Sequence, residues 1–317
     1  MSRQKIILDC DPGHDDAIAI LMTLASPEEL DLLGLTCVGG NTSLDMTTKN
    51  ALKICELAGS TNIAVYSGCE RPMIRQLSTA ENVHGKSGLD LPGGTVLPEP
   101  TMSLRPQHAV DFIIDTLMME STQSITLCPT GPLTNIAMAM IREPKIIPRI
   151  QEIVFMGGAA ISPGNTTPAA EFNIYVDPHA AHVVLSSGVK LVMMGLDVTH
   201  QVQVTPPRMQ TIKTLGRQVS QTVADLITFY GNFDLEQWDM KGAALHDPCV
   251  IAYLLDQEIF TLKHVNVEVE INEGLTLGET VADWKYVTDR PLNCHVAYRA
   301  NDDRFFELLT DRLLKLP

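Results

Sequence analysis

The chain has 317 residues, of which 45% are hydrophobic and 19% charged. That is enough apolar side chain for a sizeable core in one large domain or two smaller ones, and it excludes a disordered chain. The 38 acidic residues outnumber the 23 basic ones, a formal charge of −15, which argues against partners that need clustered Lys and Arg, nucleic acid and anionic membrane alike. A small neutral ligand or a cation remains compatible.

Short apolar runs alternate with helical spacing from the start of the chain. Residues 6–8 read as a strand stopped by Asp9, and Ala17, Ile18, Ile20, Leu21 and Leu24 then repeat at helical spacing. A second strand at 32–38 leads to a helix over 50–58, and 63–66 is a third strand. After a long polar connection, Ala109, Val110, Ile113, Ile114 and Leu117 mark a helix, followed by a strand at 124–128 and a helix over 133–142. Strands are expected at 153–156 and 190–194, with a helix over 179–185 between them. This alternation predicts an α/β fold with a mostly parallel central sheet flanked by helices. No linker or repeat divides the chain, so 1–317 is expected to be a single domain.

Near the C-terminus the pattern changes. Val265, Val267, Val269 and Ile271 alternate at period two, Asn272-Glu273-Gly274 signals a turn, and 275–283 follows as a partner strand, so a C-terminal β-hairpin is expected. A final helix over 303–315 presents Phe306, Leu309 and Leu313, with Asp302 and Asp303 as its caps. The connections 67–106 and 157–176 are long enough to serve as lids or binding loops. In a parallel sheet, ligands lie beyond the carboxyl ends of the strands, so the polar residues after each strand matter most.

The run at 6–8 is too short for a signal-peptide core, and no stretch approaches the ~20 apolar residues of a membrane span. The seven cysteines are odd in number, scattered, and mostly set among apolar neighbours. They read as buried free thiols of a cytoplasmic protein with no membrane partner.

The first strand ends in Asp9-Cys10-Asp11-Pro12-Gly13-His14-Asp15-Asp16, which gathers four carboxylates into eight residues. A helix dipole accounts for Asp15 and Asp16 but leaves Asp9 and Asp11 unexplained. A hard cation such as Ca²⁺ or Mg²⁺, which takes oxygen ligands, accounts for the whole cluster. Asp-x-Asp after an N-terminal strand also opens the aspartyl phosphatases, but they need Thr or Val where Gly13 stands.

Further polar segments follow other strands: Val38-Gly39-Gly40-Asn41, Pro129-Thr130-Gly131-Pro132, Asn165-Thr166-Thr167 with Glu171-Phe172-Asn173, and His246-Asp247-Pro248. Taken in this order, from about Lys5 to the final helix, they resemble the nucleoside hydrolase family, the inosine-uridine type and pyrimidine ribonucleoside hydrolases. The resemblance implies hydrolysis of the N-glycosidic bond of ribonucleosides, a tightly bound Ca²⁺, and a homotetramer, sometimes a dimer. By motif, Asp11, Asp16, Asp247 and the carbonyl of Thr130 would be the metal ligands, with Asp11 also the general base toward the metal-activated water. Asp15, Asn41, Asn165, Glu171 and Asn173 would hold the ribose hydroxyls. His246 would face the leaving base, and His84 lies in a loop that covers the site.

Independent chemistry agrees. Breaking a ribosyl C–N bond builds positive charge on the sugar and negative charge on the base, so it needs an activated water, anionic groups near the sugar and a hydrogen bond for the base. Glu171 and Asn173, two apart on a segment expected to be extended, would point to the same side and grip vicinal hydroxyls.

Plainer readings stand beside these. Asp247-Pro248 is also an N-cap with Pro at N1, and His246 could be a hydrogen-bonded core histidine. Asn41 and Asn165 follow glycines as natural turn residues, and His84 could face solvent. Asp197 is expected to be structural or to support the site from behind, and the remaining histidines, His14 and His200 included, to be structural or surface residues. Asp234 and Trp238 stand where some relatives place base-contacting side chains, and Trp238 could stack on a base or pack a helix. His84 together with His246 favours a pyrimidine-preferring or broad enzyme. A non-catalytic nucleoside- or calcium-binding protein would keep Glu171 and Asn173 but would need neither Asp11 nor His246.

Overall fold

A computed structural model describes residues 3–94, 96–238 and 240–317, with the side chains of 232–238 outside the description. The N-terminal half is laid down as β1 (Gln4–Cys10), α1 (His14–Leu24), β2 (Leu30–Cys37), α2 (Leu44–Leu57) and β3 (Val65–Ser67). After the first long connection, which carries the short α3 (Glu81–His84), come α4 (Ala109–Met119), β4 (Ile125–Pro129), α5 (Thr134–Arg142) and β5 (Ile150–Met156). Next are α6 (Phe172–Val176), α7 (Pro178–Leu185), β6 (Leu191–Met194), α8 (Leu196–Thr199), β7 (Gln203–Val204), α9 (Pro206–Thr214) and α10 (Gln218–Trp238). The chain closes with β8 (Ala243–Ala244), α11 (Pro248–Leu255), β9 (Phe260–Val265), β10 (Val267–Val269), β11 (Thr280–Ala282), β12 (Cys294–Ala300) and α12 (Asp302–Leu314).

The expected α/β architecture is present: one eight-stranded sheet in the order β3-β2-β1-β4-β5-β6-β12-β9, parallel except for β9 against β12. Strand order reverses between β1 and β4. From there the chain builds outward to β3 on one side and to β6 on the other. That switch leaves a crevice at the carboxyl ends of β1 and β4, where Asp11 and Thr130 emerge. Both faces of the sheet are covered. Ile18, Leu21, Ile54 and Phe305 belong to one buried cluster, and Ile7, Ile113, Ile136 and Phe155 to the other.

Several expectations need correction. The alternating run from Val265 to Ile271 is two strands, because the backbone breaks at Asn266 and Asn293 inserts there. Asn293 accepts from Val267 N at 2.8 Å through Oδ1 and donates to the Val267 carbonyl at 2.9 Å. β9 therefore joins the main sheet beside β12, a strand that periodicity did not reveal, and only β10 and β11 form the antiparallel hairpin. The last helix is capped by Asn301, whose side chain accepts from Arg304 N. Asp302 and Asp303 pair with Arg208 instead. The segment at Glu171–Asn173 is not extended: Glu171 is the N-cap of α6 and Asn173 lies in its first turn.

Asn135, fully buried at the start of α5, ties the central strands together. It accepts from Cys69 N at 2.8 Å and donates to Asp9 Oδ1 at 2.8 Å and to the Cys37 carbonyl at 3.0 Å. Asn135→Leu keeps the volume but strips partners from three enclosed groups. It should lower the unfolding free energy by on the order of 3 kcal/mol, seen as a lower urea midpoint at unchanged slope.

Candidate active site

The crevice at the switch point opens into a cavity lined by Asp15, Asn41, His84, Thr130, Asn165, Glu171, Asn173, His246 and Asp247. Asp11 and Asp16 are fully buried and bonded to the residues that line it. The side chains of Asp234 and Trp238, the two expected neighbours of the base, lie outside the described residues.

The acidic end is built from three pieces of chain. Asp9 and Asp11 belong to β1 and its exit, Asp15 and Asp16 open α1, and Asp247 precedes α11. Ligand atoms of Asp15, Asp16 and Asp247 all lie within 4.8 Å of one another. Geometry thus puts Asp15, expected on the ribose, in the tightest acidic group, with Asp11 beside it rather than in it. Asp16 accepts from Thr130 Oγ1 at 2.8 Å, Gly13 N at 3.0 Å and Asn41 Nδ2 at 3.2 Å. Asp11 Oδ2 accepts from Asn41 N at 2.7 Å, whereas Oδ1 is buried with no partner. Gly40 makes this approach possible, since a Cβ there would lie 2.0 Å from Asp11 Oδ2.

Burial is the main force on these acids. It pushes Asp11 and Asp247 well above the carboxylate range, with further pressure on each from the neighbouring charges of Asp15 and Asp16. Asp16 rises to about 6 through burial and then the charge of Asp15, and burial also raises Asp15. Asp9 rises to about 7, although Thr36 and Asn135 hydrogen-bond it. Like charges so enclosed are stable as ions only with a positive partner. The donor set is all oxygen, and beside it Asp11 Oδ1 and Asp9 Oδ2 are buried without a hydrogen-bond partner. These residues fit a hard divalent cation.

Beside the acids stand Glu171 and Asn173. Glu171 accepts from Gly158 N at 2.9 Å, Asn173 N at 3.0 Å and Ile174 N at 3.2 Å, so its carboxylate caps α6. Asn173 donates to the Thr130 carbonyl at 2.7 Å, which leaves its Oδ1 for a ligand. Helix capping, not strand alternation, brings this pair to the same cavity. Asn165 Oδ1 accepts from Phe172 N at 2.9 Å and holds the loop that leads into α6. Asp197 has the structural role expected of it: its carboxylate accepts from Ala160, Ile161 and Ser162 N.

The opposite end is made of neutral imidazoles. His84, expected in a solvent-facing or base-contacting loop, is buried on α3 and stacks on His14 at 5.3 Å between centroids. His246 Nδ1 lies 2.8 Å from Thr199 Oγ1, and His200 meets the His246 ring edge-on at 5.6 Å. Burial holds His14 and His246 down at about 4 and His200 at about 3, and it takes His84 well below the usual histidine range. His200 and Tyr230 line the cavity, and His14 contacts His84; none of these roles was expected. The ring His14 meets lies 70 residues on in sequence and the ring His200 meets 46 residues on, whereas Tyr230 carried a local signal. It ends a run of Val219, Val223, Leu226 and Ile227 at helical spacing, the buried stripe of α10.

Residues 6–307 match the family model described as inosine-uridine preferring nucleoside hydrolase. The chain belongs to that family. It is 46% identical over 314 residues to the pyrimidine-specific ribonucleoside hydrolase RihA of Photobacterium profundum, with 99% of each chain covered. To the inosine-uridine preferring nucleoside hydrolase of Crithidia fasciculata it is 42% identical over 317 residues, covering 99% of this chain and 98% of that one. Among solved structures, the purine-preferring ribonucleoside hydrolase from Gardnerella vaginalis superposes with a TM-score of 0.89 at 33% identity, covering 98% of both chains. The acidic end and the histidine end of this nucleoside hydrolase chain both lie within the matched region.

The acids make metal binding readable through stability. Asp9 and Asp16, at about 7 and about 6 in the folded chain against an ordinary 3.8, hold protons that the unfolded chain has lost. Their contribution to stability therefore falls as pH rises from about 4 to about 7, and a cation that keeps Asp16 ionised offsets its part of that fall. The buried histidines act in the opposite sense in both states and drop out of the difference. The gap in unfolding midpoint between cation-supplied and chelated protein should widen across this window. A gap that stays constant or narrows speaks against the site.

Proposed function

We propose that this chain hydrolyses ribonucleosides to ribose and free base, with Ca²⁺ at the acidic end and pyrimidine ribonucleosides among its substrates. The observation that carries the reading is one cavity with a cluster of buried carboxylates at one end and neutral imidazoles at the other. Bond cleavage needs that polarity, because charge grows positive on the sugar and negative on the base.

Asp15, Asp16 and Asp247, with Asp11 and the Thr130 carbonyl beside them, are the residues to hold the cation. When bound, it supplies the charge that keeps these carboxylates ionised and acidifies a water within its reach. Asp11 is placed for the proton. Its Oδ2 is fixed by the Asn41 amide, and its unpaired Oδ1 is free to take a proton from the attacking water. Glu171 and Asn173, with Asn41, Asp15 and Asn165 around them, present acceptors to the ribose hydroxyls. His246, its Nδ1 occupied by Thr199, turns Nε2 toward the departing base. A reducing, cytoplasmic setting fits the seven free cysteines, and a homo-oligomer, a tetramer or a dimer, is part of the same reading. No helix among the described residues is long and apolar enough to cross a membrane.

The deciding experiment measures release of reducing sugar from uridine, cytidine, inosine and adenosine, with calcium and with chelator. Turnover that chelation abolishes is expected; binding of uridine without turnover would instead favour a nucleoside-binding protein. 2′-Deoxyuridine should fall at least about a hundredfold in kcat/KM, since the buried acceptors for the missing hydroxyl would be left unpaired. Asp11→Asn should lower kcat by about 10²- to 10⁴-fold and still bind ribose, and unchanged turnover would remove Asp11 as the base.

A further inference from the structure

We infer that His14 is a positioning residue that sets the tautomer of His84, so that His84 offers the cavity a lone pair at Nε2 rather than a proton. His14 Nε2 lies 2.8 Å from the Asp90 carbonyl oxygen. A carbonyl only accepts, so that nitrogen carries the proton. A neutral His14 ring then has a bare Nδ1, and 3.1 Å away stands His84 Nδ1. Two lone pairs at that distance repel, and the proton between them belongs to His84. The ring of His84 spends its one proton on His14, and Nε2 is the nitrogen left for a ligand in the cavity that His84 lines.

The surroundings hold each member of this relay. Asp90 is fixed because its carboxylate accepts from Lys86 N and from the amide and hydroxyl of Ser87, closing the turn after α3. His14 stacks on Phe229 at 5.1 Å with planes 9° apart, and its ring lies within 21° of the His84 plane at 5.3 Å between centroids. A Cβ at Gly13 would lie 2.7 Å from His84 Nδ1, so the glycine is what lets the two rings meet. The enclosure also favours the uncharged ring: His14 is fully buried, and an imidazolium there would have only neutral acceptors at its ring nitrogens, the Asp90 carbonyl and the His84 ring. The backbone N–H of His14, 3.3 Å from the same His84 Nδ1, is the competing donor and the longer contact.

The consequence for specificity rests on the hydrolase reading. A lone pair at His84 Nε2 selects ligands that present a donor there, an N–H, an amino group or a hydroxyl. It also makes His84 unsuited to hand a proton to the departing base, which leaves that task to His246 or solvent.

Ring-nitrogen NMR of the ¹⁵N-histidine-labelled, substrate-free protein tests the inference, with His84→Asn used to assign the signals. The expected result is a protonated Nδ1 and a bare Nε2 at His84. His14→Phe preserves the stacking but removes both polar atoms, and it should mix or invert that pattern and lower kcat/KM for uridine roughly tenfold. His14→Gln, which can accept from His84 and donate to Asp90, should restore the pattern in part. A proton on His84 Nε2 in the wild-type protein overturns the inference, as does a pattern untouched by His14→Phe. If His14→Phe does not fold, the wild-type spectrum decides alone. A protein that shows the expected pattern but turns over no ribonucleoside supports the tautomer lock and overturns the hydrolase reading.

Discussion

Mutual repulsion among buried carboxylates is the constraint that the rest of the site answers. Asp11, Asp15, Asp16 and Asp247 are drawn from one strand exit and two helix starts, and each is almost wholly removed from water. The protein supplies only partial compensation: amide and hydroxyl donors from Gly13, Asn41 and Thr130, and the positive end of α1. No Lys or Arg among the described residues pairs with them. A full cationic partner would neutralise the cluster; what the fold provides instead is a held set of oxygens that lacks one positive charge. The parallel sheet is the means, because its order reversal between β1 and β4 opens the crevice in which those oxygens converge.

The histidine end follows the opposite rule. Burial is the largest force on His14, His84, His200 and His246 and drives them toward the neutral ring, with the charges of Asp90 near His14 and Asp197 near His200 only partly opposing it. Neutral imidazoles carry one donor and one acceptor each, and which nitrogen serves as which depends on the group behind it: the Asp90 carbonyl for His14, the Thr199 hydroxyl for His246. The cavity is thus polarised without a second set of charges, and the two ends do not quench one another.

The parallel sheet, its order of helices and the acidic end were legible in the sequence because their signals are local. Asp9 to Asp16 is a single uninterrupted segment, and Asp247 is marked by the Pro248 that starts α11. Glu171 and Asn173 share a cavity as expected but not for the expected reason: alternation on a strand was assumed, and a helix cap brings them together. β12 escaped because its residues, Cys294 to Ala300, carry no clean alternation; the burial of its neighbours β6 and β9 fixes its place. His14 and His200 escaped for a related reason. A histidine becomes part of a site through what it touches, and the ring that His14 touches lies 70 residues further on.

The same distinction bears on how relatives of one fold are named for different nucleosides. Asp11, Thr130 and Asn173 sit at or beside the ends of sheet strands, where register with β1, β4 and β5 fixes them to within a hydrogen bond. The wall facing the other end comes from α3 in the long connection after β3, and from α8 and α10 with the connections beside them. Changes in those connections can alter donors and acceptors at the base without moving a carboxylate. Matched chains described as pyrimidine-specific, inosine-uridine preferring and purine-preferring share at least 33% identity with this one and cover nearly all of it. On the function proposed above, a held ribose and metal end with a separately built base end suits such a spread of names. It places the decision between bases on His84, His200, Tyr230 and the groups that set their protons.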